Sequence, residues 1–413
     1  MAHLISPQRW VETLTPGQRI YVGGCGAEPT AVLDALATRP DLLAGSRLTG
    51  VFIPGVNRRN LAAVAPDVTV ETFFVTPALR EAFAGGRARF LPLHYSEIAA
   101  RYRRCGADIA LFRTSPPRSG MVSLGTAHDF APAVLAGGAR AVGVVDETSP
   151  FVPDGVTLPC DRFEALIDGT RSPVLFEQAP RNATLDALAR HVARLVSEGD
   201  TVQVGIGAAP GAVLAALRDH RGLACHAGLV SDGMVDLLDC GALTRITAGA
   251  ALGTQALIDR IAHEQRIAFR PVEYTHDVAT IGAIPSFVAV NAALEVDLFG
   301  QVNGETIDGR QVSGHGGMVD FVRGARRSPG GRAVTVLAAD AMKGSVSRIV
   351  PALAAGTPVS VARADTDVVV TEHGIAELRE ADIDTRAERL IAVAAPRFRN
   401  ELAAAWDRLR RAM

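Results

Sequence analysis

Lysine is nearly missing from this chain: Lys343 is the only one, and arginine supplies the other basic side chains. A Gly-Lys-Ser/Thr phosphate loop is therefore excluded, and Lys343 is the sole side chain able to form a Schiff base. Cysteine is scarce and odd in number, with five residues (Cys25, Cys105, Cys160, Cys225, Cys240) and none at Cys-x-x-Cys spacing. Neither a disulfide framework nor a metal site is expected from that pattern. Long apolar runs are also absent, since the stretch from Ala131 to Val145 is broken by Arg140 and glycines and falls short of a membrane span. A net charge of −2 gives no global field that would draw nucleic acid or an anionic membrane surface. Met1 to Trp10 lack the basic-then-apolar order of a secretory signal, so a cytosolic location is expected.

What remains is ordinary globular material: 413 residues, 48% hydrophobic and 21% charged. That length exceeds what one core usually organises, so two domains are expected. Two distant segments read alike. Val22-Gly23-Gly24-Cys25-Gly26-Ala27-Glu28-Pro29-Thr30 and the run to Leu36 lie over Val204-Gly205-Ile206-Gly207-Ala208-Ala209-Pro210 and the run to Leu217. Each copy follows a short β-type run, turns through glycines, and enters a helix near a proline. A repeated strand–turn–helix opening is what two related α/β halves would carry. Apolar runs at Leu48–Ile53, Val68–Phe74, Asp108–Phe112, Ala141–Val145, Ala333–Ala338 and Asp367–Val370 read as parallel strands. Helical stretches alternate with them at Ala31–Leu36, Ala131–Leu135, Leu185–Val196 and Phe398–Arg410. The polar stretch Thr170 to Pro173 marks a boundary, giving domains 1–180 and 181–413.

Three segments carry candidate chemistry. Gly205-Ile206-Gly207-Ala208 sets bare amides at a helix start, which suits an anion or serves simply as a tight turn. Ser313-Gly314-His315-Gly316-Gly317-Met318 packs three glycines into four positions, letting the backbone approach a ligand and aim donors at an oxyanion; a plain surface turn is the alternative. In the run Val288 to Leu298, Asn291, Glu295 and Asp297 alternate with Ala292 and Val296 and are expected to share one strand face, with Asp297 in a structural role.

With these segments in view, the sequence resembles the acetyl-CoA hydrolase/CoA-transferase family, the class I CoA-transferases that act on 4-hydroxybutyrate and butyryl-CoA. The resemblance runs through Val204–Leu217, His226–Thr244, Asn291–Gly300, Ser313–Gly324 and Ser347–Gly374, and more loosely through Glu28-Pro29-Thr30, Ser115-Pro116-Pro117 and Ser123-Leu124-Gly125. It implies two similar open α/β CoA-transferase-like domains with the active site between them, acyl-CoA and a carboxylic acid as substrates, no bound cofactor, and a homodimer. It also implies a glutamate nucleophile in a His-x-Glu-Met/Leu-x-Ser-Asp-Gly segment. Here that segment is His226-Ala227-Gly228-Leu229-Val230-Ser231-Asp232-Gly233, so Gly228 stands where the nucleophile belongs.

Glycine has no nucleophile and no titratable group, so the glutamyl-CoA route cannot start at position 228. A small void beside the thioester is expected there, with water attacking in place of a side chain. His315, foreign to the family pattern, is the expected general base, with His226 as a second candidate. Asn291 and the amides of Gly316 and Gly317 are the expected oxyanion holders. Gly205, Ile206, Gly207, Ala208, Gly228, Ser313, Gly314 and Lys343 are the expected contacts to substrate and coenzyme A. Hydrolysis leads. A transferase drawing its carboxylate from Glu273, Glu295 or Glu305, and a silent acyl-CoA binder, are the alternatives.

Overall fold

The computed structural model describes residues 4–169, 174–178 and 180–413. Thr170 to Pro173, on which the sequence boundary rests, lie outside the described residues.

Seven strands build the first sheet: β1 (Arg19–Val22), β2 (Arg47–Gly50), β3 (Thr69–Thr72), β4 (Ala88–Phe90), β5 (Ile109–Thr114), β6 (Arg140–Val145) and β7 (Phe163–Asp168). Eight build the second: β8 (Thr201–Val204), β9 (Leu223–His226), β10 (Leu243–Ala248), β11 (Ile267–Phe269), β12 (Phe287–Ala292), β13 (Arg332–Val336), β14 (Val368–Thr371) and β15 (Gly374–Glu377). The first sheet is ordered β4-β3-β2-β1-β5-β6-β7 and the second β11-β10-β9-β8-β12-β13-β14-β15. All pairings in both are parallel except the last, where β15 runs antiparallel to β14. Apart from that added edge strand, the two orders are one plan used twice. The match between the Val22 and Val204 segments therefore reflects a repeat, with β1 and β8 at equivalent central positions.

Strands covered on both faces should read as unbroken apolar runs, and β6 and β14 do so as Ala141-Val142-Gly143-Val144-Val145 and Val368-Val369-Val370. Helices α1 (Thr30–Leu36), α2 (Tyr95–Cys105), α3 (Ala131–Ala136), α4 (Ala183–Ala193), α5 (Ala208–Ala216), α6 (Met318–Arg327) and α7 (Arg399–Arg411) supply much of that cover. Each sheet has apolar cores on its two sides, for example Val22, Leu111 and Val144 on one face of the first and Tyr21, Ala110 and Phe112 on the other. Among the described residues no helix is long and apolar enough to cross a membrane. All five cysteines are free thiols.

One expectation fails. Asn291 lies near the end of β12, whereas Glu295 and Asp297 belong to a separate short strand, Glu295–Asp297, in a three-stranded sheet. The chain turns at Ala293-Leu294, so the three polar residues do not share a face. Asp297 is structural, as expected: it is buried and accepts hydrogen bonds from the Phe299 and Gln301 amides and from Gln301 Nε2.

The halves are stitched by main chain. Thr126 O accepts from Ala251 N (2.8 Å), Gly249 O from His128 N (2.9 Å), and Asp129 O from Val272 N (3.0 Å). Side chains add Ser96 Oγ to Asp320 Oδ1 (2.7 Å) and Arg103 to Glu273. A cavity lies along this seam.

Candidate active site

The cavity has a volume of about 350 Å³ and draws its walls from both halves. Its construction follows from the repeat. In the first sheet Tyr21 pairs in register with Ala110, and Phe112 lies two residues further on. In the second, Gln203 pairs with Ala289, and Asn291 lies two residues further on. Side chains two apart on a strand share a face, so both pairs point into the same space. The first half offers rings, Tyr21 and Phe112 at 5.7 Å between centroids. The second offers amides, with Asn291 Nδ2 donating to Gln203 Oε1 at 3.1 Å.

The glycine loop closes one side. Gly314, His315, Gly316 and Gly317 line the cavity just before α6. Their four amides meet no acceptor among the described residues. Consecutive free amides leading into a helix form a cradle for negative charge. Gly316 adopts a φ of 57°, the left-handed region that glycine enters without strain.

At position 228 the glycine lines the cavity, and the ring of His276 stands close beside it. A Cβ on Gly228 would stand 3.1 Å from His276 Cε1 and 3.2 Å from Nε2, and one on Gly317 would collide with the same ring. Both glycines thus pack against one imidazole. His276 packs between Tyr95 and Phe321 (centroids at 4.8 and 4.6 Å), and its Nδ1 meets Thr275 Oγ1 at 3.0 Å. Nε2 makes no hydrogen bond among the described residues. Burial drives its pKa down to about 3, with the neighbouring His226 adding to the effect, so the ring is neutral at physiological pH.

The other expected residues divide. Gly205, Ile206, Asn291, Ser313, Gly314, His315, Gly316 and Gly317 are on the wall. His315 keeps its Nδ1 at 3.0 Å from Gly316 O and its ring 4.8 Å from that of His94. Gly207 and Ala208, which start α5, are not on the wall. His226 is buried on β9 with Nε2 at 2.9 Å from Thr275 O, on the turn that carries His276, and does not line the cavity. Lys343 is exposed on a separate turn, Met342–Gly344, away from the wall. The three glutamates considered as substitutes are engaged elsewhere: Glu273 with Arg103, Glu295 with Asn303, and Glu305 with Ser360 and Gln311.

Sequence reasoning missed Gln203, His276, Asp129 and the aromatic wall. Gln203 carried a signal, because it is the one polar side chain between Val202 and Val204 and is the repeat partner of Tyr21. Asp129 stood four residues beyond Gly125, outside the Ser123-Leu124-Gly125 segment singled out above. His276, on a short turn of helix, had none.

A cleft between two copies of one sheet plan, with free amides on one wall and rings on the other, defines an α/β enzyme able to hold a polarised carbonyl beside an apolar group. Residues 1–164 match the acetyl-CoA hydrolase/transferase N-terminal domain and residues 253–406 the acetyl-CoA hydrolase/transferase C-terminal domain. The chain is 29% identical over 412 residues to 4-hydroxybutyrate coenzyme A transferase of Clostridium kluyveri, covering 97% of this chain and 96% of that one. It is 33% identical over 358 residues to succinyl-CoA:cyclohexane-1-carboxylate CoA transferase of Geobacter metallireducens, covering 84% and 82%. The crystal structure of RipA from Yersinia pestis superposes with a TM-score of 0.91 at 28% identity, over 98% of this chain and 97% of that one. The chain belongs to the acetyl-CoA hydrolase/transferase family. It is an enzyme of coenzyme A thioesters.

Proposed function

We propose that this enzyme hydrolyses acyl-CoA thioesters, with water attacking the carbonyl in place of a glutamate. The observation that carries this reading is the glycine at position 228. No carboxylate is present there, and the neutral ring of His276 stands beside it. The thioester oxygen sits against Asn291, Gln203 and the amides of Gly316 and Gly317, donors that gain strength as the tetrahedral oxyanion forms. Gly205, Ile206, Ser313 and Gly314 contact the rest of the acyl-CoA. The acyl chain lies on Tyr21, Phe112 and their neighbours, which favours an apolar acyl group. His315, the base nominated by the sequence, lines the same wall.

Purified protein with a panel of straight, branched and aromatic acyl-CoAs tests the reading, following free thiol and acyl-CoA species with and without acetate. Thiol release independent of acetate is expected. New acyl-CoA formed only with acetate, without free thiol, would restore CoA transfer. Binding without turnover of any acyl-CoA would leave a silent binder.

A further inference from the structure

One carboxylate does reach the cavity, and it comes from the other half of the molecule. Asp129 lines the wall and forms no ion pair among the described residues. Its Oδ1 accepts from the Phe130 amide at 2.8 Å, and Oδ2 makes no hydrogen bond among the described residues. Its backbone belongs to the seam, through Val272 N to Asp129 O and His128 N to Gly249 O. Gly249 lies between it and Gly228: a Cβ there would stand 3.0 Å from Asp129 Cβ and 3.3 Å from Gly228 O. Gly228 O in turn accepts from the Gly249 and Ala250 amides, both at 3.1 Å. Asp129 and Gly228 therefore flank the same glycine.

Resting on the hydrolytic reading, we propose that Asp129 is the general base that activates the attacking water, in preference to His315. The Asp129 carboxylate takes a proton from water as the oxygen bonds to the thioester carbon, and the carbonyl electrons move to the oxygen held by the amides. The intermediate collapses, the C–S bond breaks, and the coenzyme A thiolate takes that proton from Asp129. The products are the free acid and coenzyme A thiol, and the carboxylate is restored.

The surroundings suit this role. Burial, and then the charge of Glu273, raise Asp129 to about 6, close to the value at which a base is both ionised and able to accept a proton at neutral pH. Three neighbours that feel its charge stay neutral there. Tyr21, Cys25 and Tyr95 are all pushed up by burial, with the Asp129 charge adding to each, and His276 is pushed down. His276 is too weak a base to compete.

Asp129→Asn is close to isosteric, and its fold is checked by circular dichroism and by affinity for an uncleavable thioether analogue of the acyl-CoA. A fall in kcat of about 10²–10⁴-fold is expected, with analogue affinity kept within a few fold. The wild-type rise of kcat/KM with pH, inflecting near 6, should disappear in Asp129→Asn and persist in His315→Ala. Full activity in Asp129→Asn, or a wild-type profile flat from pH 5 to 8, overturns the assignment. A hydroxamate on Asp129 after quenching the working enzyme with hydroxylamine would make it a nucleophile and overturn the base. Acetate-dependent transfer without thiol release in the wild type overturns the hydrolytic reading itself, a different failure from an active Asp129→Asn.

Discussion

The two halves share one strand order and one register across the cavity, yet opposite chemistry was placed at equivalent positions. Tyr21 and Phe112 face Gln203 and Asn291 as rings against amides. The backbone plan fixes where side chains enter the cleft and leaves their identity open, so a duplicated scaffold can give one wall to the apolar group and the other to the carbonyl. Asp129 complicates this division, because the first half lends its carboxylate to the second through the hydrogen-bonded seam.

That comparison can be broken from the ring side first. Phe112→Ala should cost about 3–5 kcal/mol of stability, as is usual for a buried aromatic, and shift preference toward bulkier acyl groups; thermal unfolding and the acyl-CoA panel check both. An unchanged acyl preference would mean that the rings are only core. On the amide side, Gln203→Leu should lower kcat by about 10²–10³-fold, the usual loss for one oxyanion donor, while binding of the uncleavable analogue holds. A loss in KM alone would assign Gln203 to ground-state binding.

The borrowed carboxylate gives the next effect. Its pKa is raised in the fold, so ionising it disfavours the folded state, and stability is lost as pH rises from the unfolded value of about 4 to about 6. Asp129→Asn should therefore be more stable than wild type by about 2–3 kcal/mol at pH 8, a difference that vanishes below pH 4. Thermal unfolding at the two pH values measures it. A variant both slower and more stable would mark a residue kept for chemistry. The smallest effect is expected at position 228. Gly228→Glu must displace His276 by a few tenths of an ångström and should cost about 1–3 kcal/mol without conferring transfer. Gly228→Glu with His276→Ala should gain acetate-dependent transfer, and failure to do so would mean that more than one ring separates the two chemistries.

Much of the fold was legible because periodicity and repetition are local. The Val22 and Val204 segments announced two copies of one plan, and runs such as Ala141–Val145 and Asp367–Val370 could be read as buried parallel strands from their apolar composition alone. The glycine loop and Asn291 were legible for a similar reason, since unusual residues in a short window stand out. His226 and Lys343 lie off the cavity wall, since being the rare residue of a motif, or the only lysine, says nothing about where a side chain ends up. Asn291, Glu295 and Asp297 misled because alternation holds only while the chain stays in one strand, and it turns at Ala293.

The amino-acid sequence by itself determined the duplicated α/β plan, the family, the absence of a carboxylate at position 228 and the amides that could hold an oxyanion. Each of these is a property of consecutive residues. Only the tertiary structure decided that His276 stands beside Gly228, that Gln203 joins Asn291, and that Asp129 and Gly228 flank Gly249 at the seam. Those contacts join segments some 50 to 100 residues apart, brought together by sheet packing that no local pattern encodes.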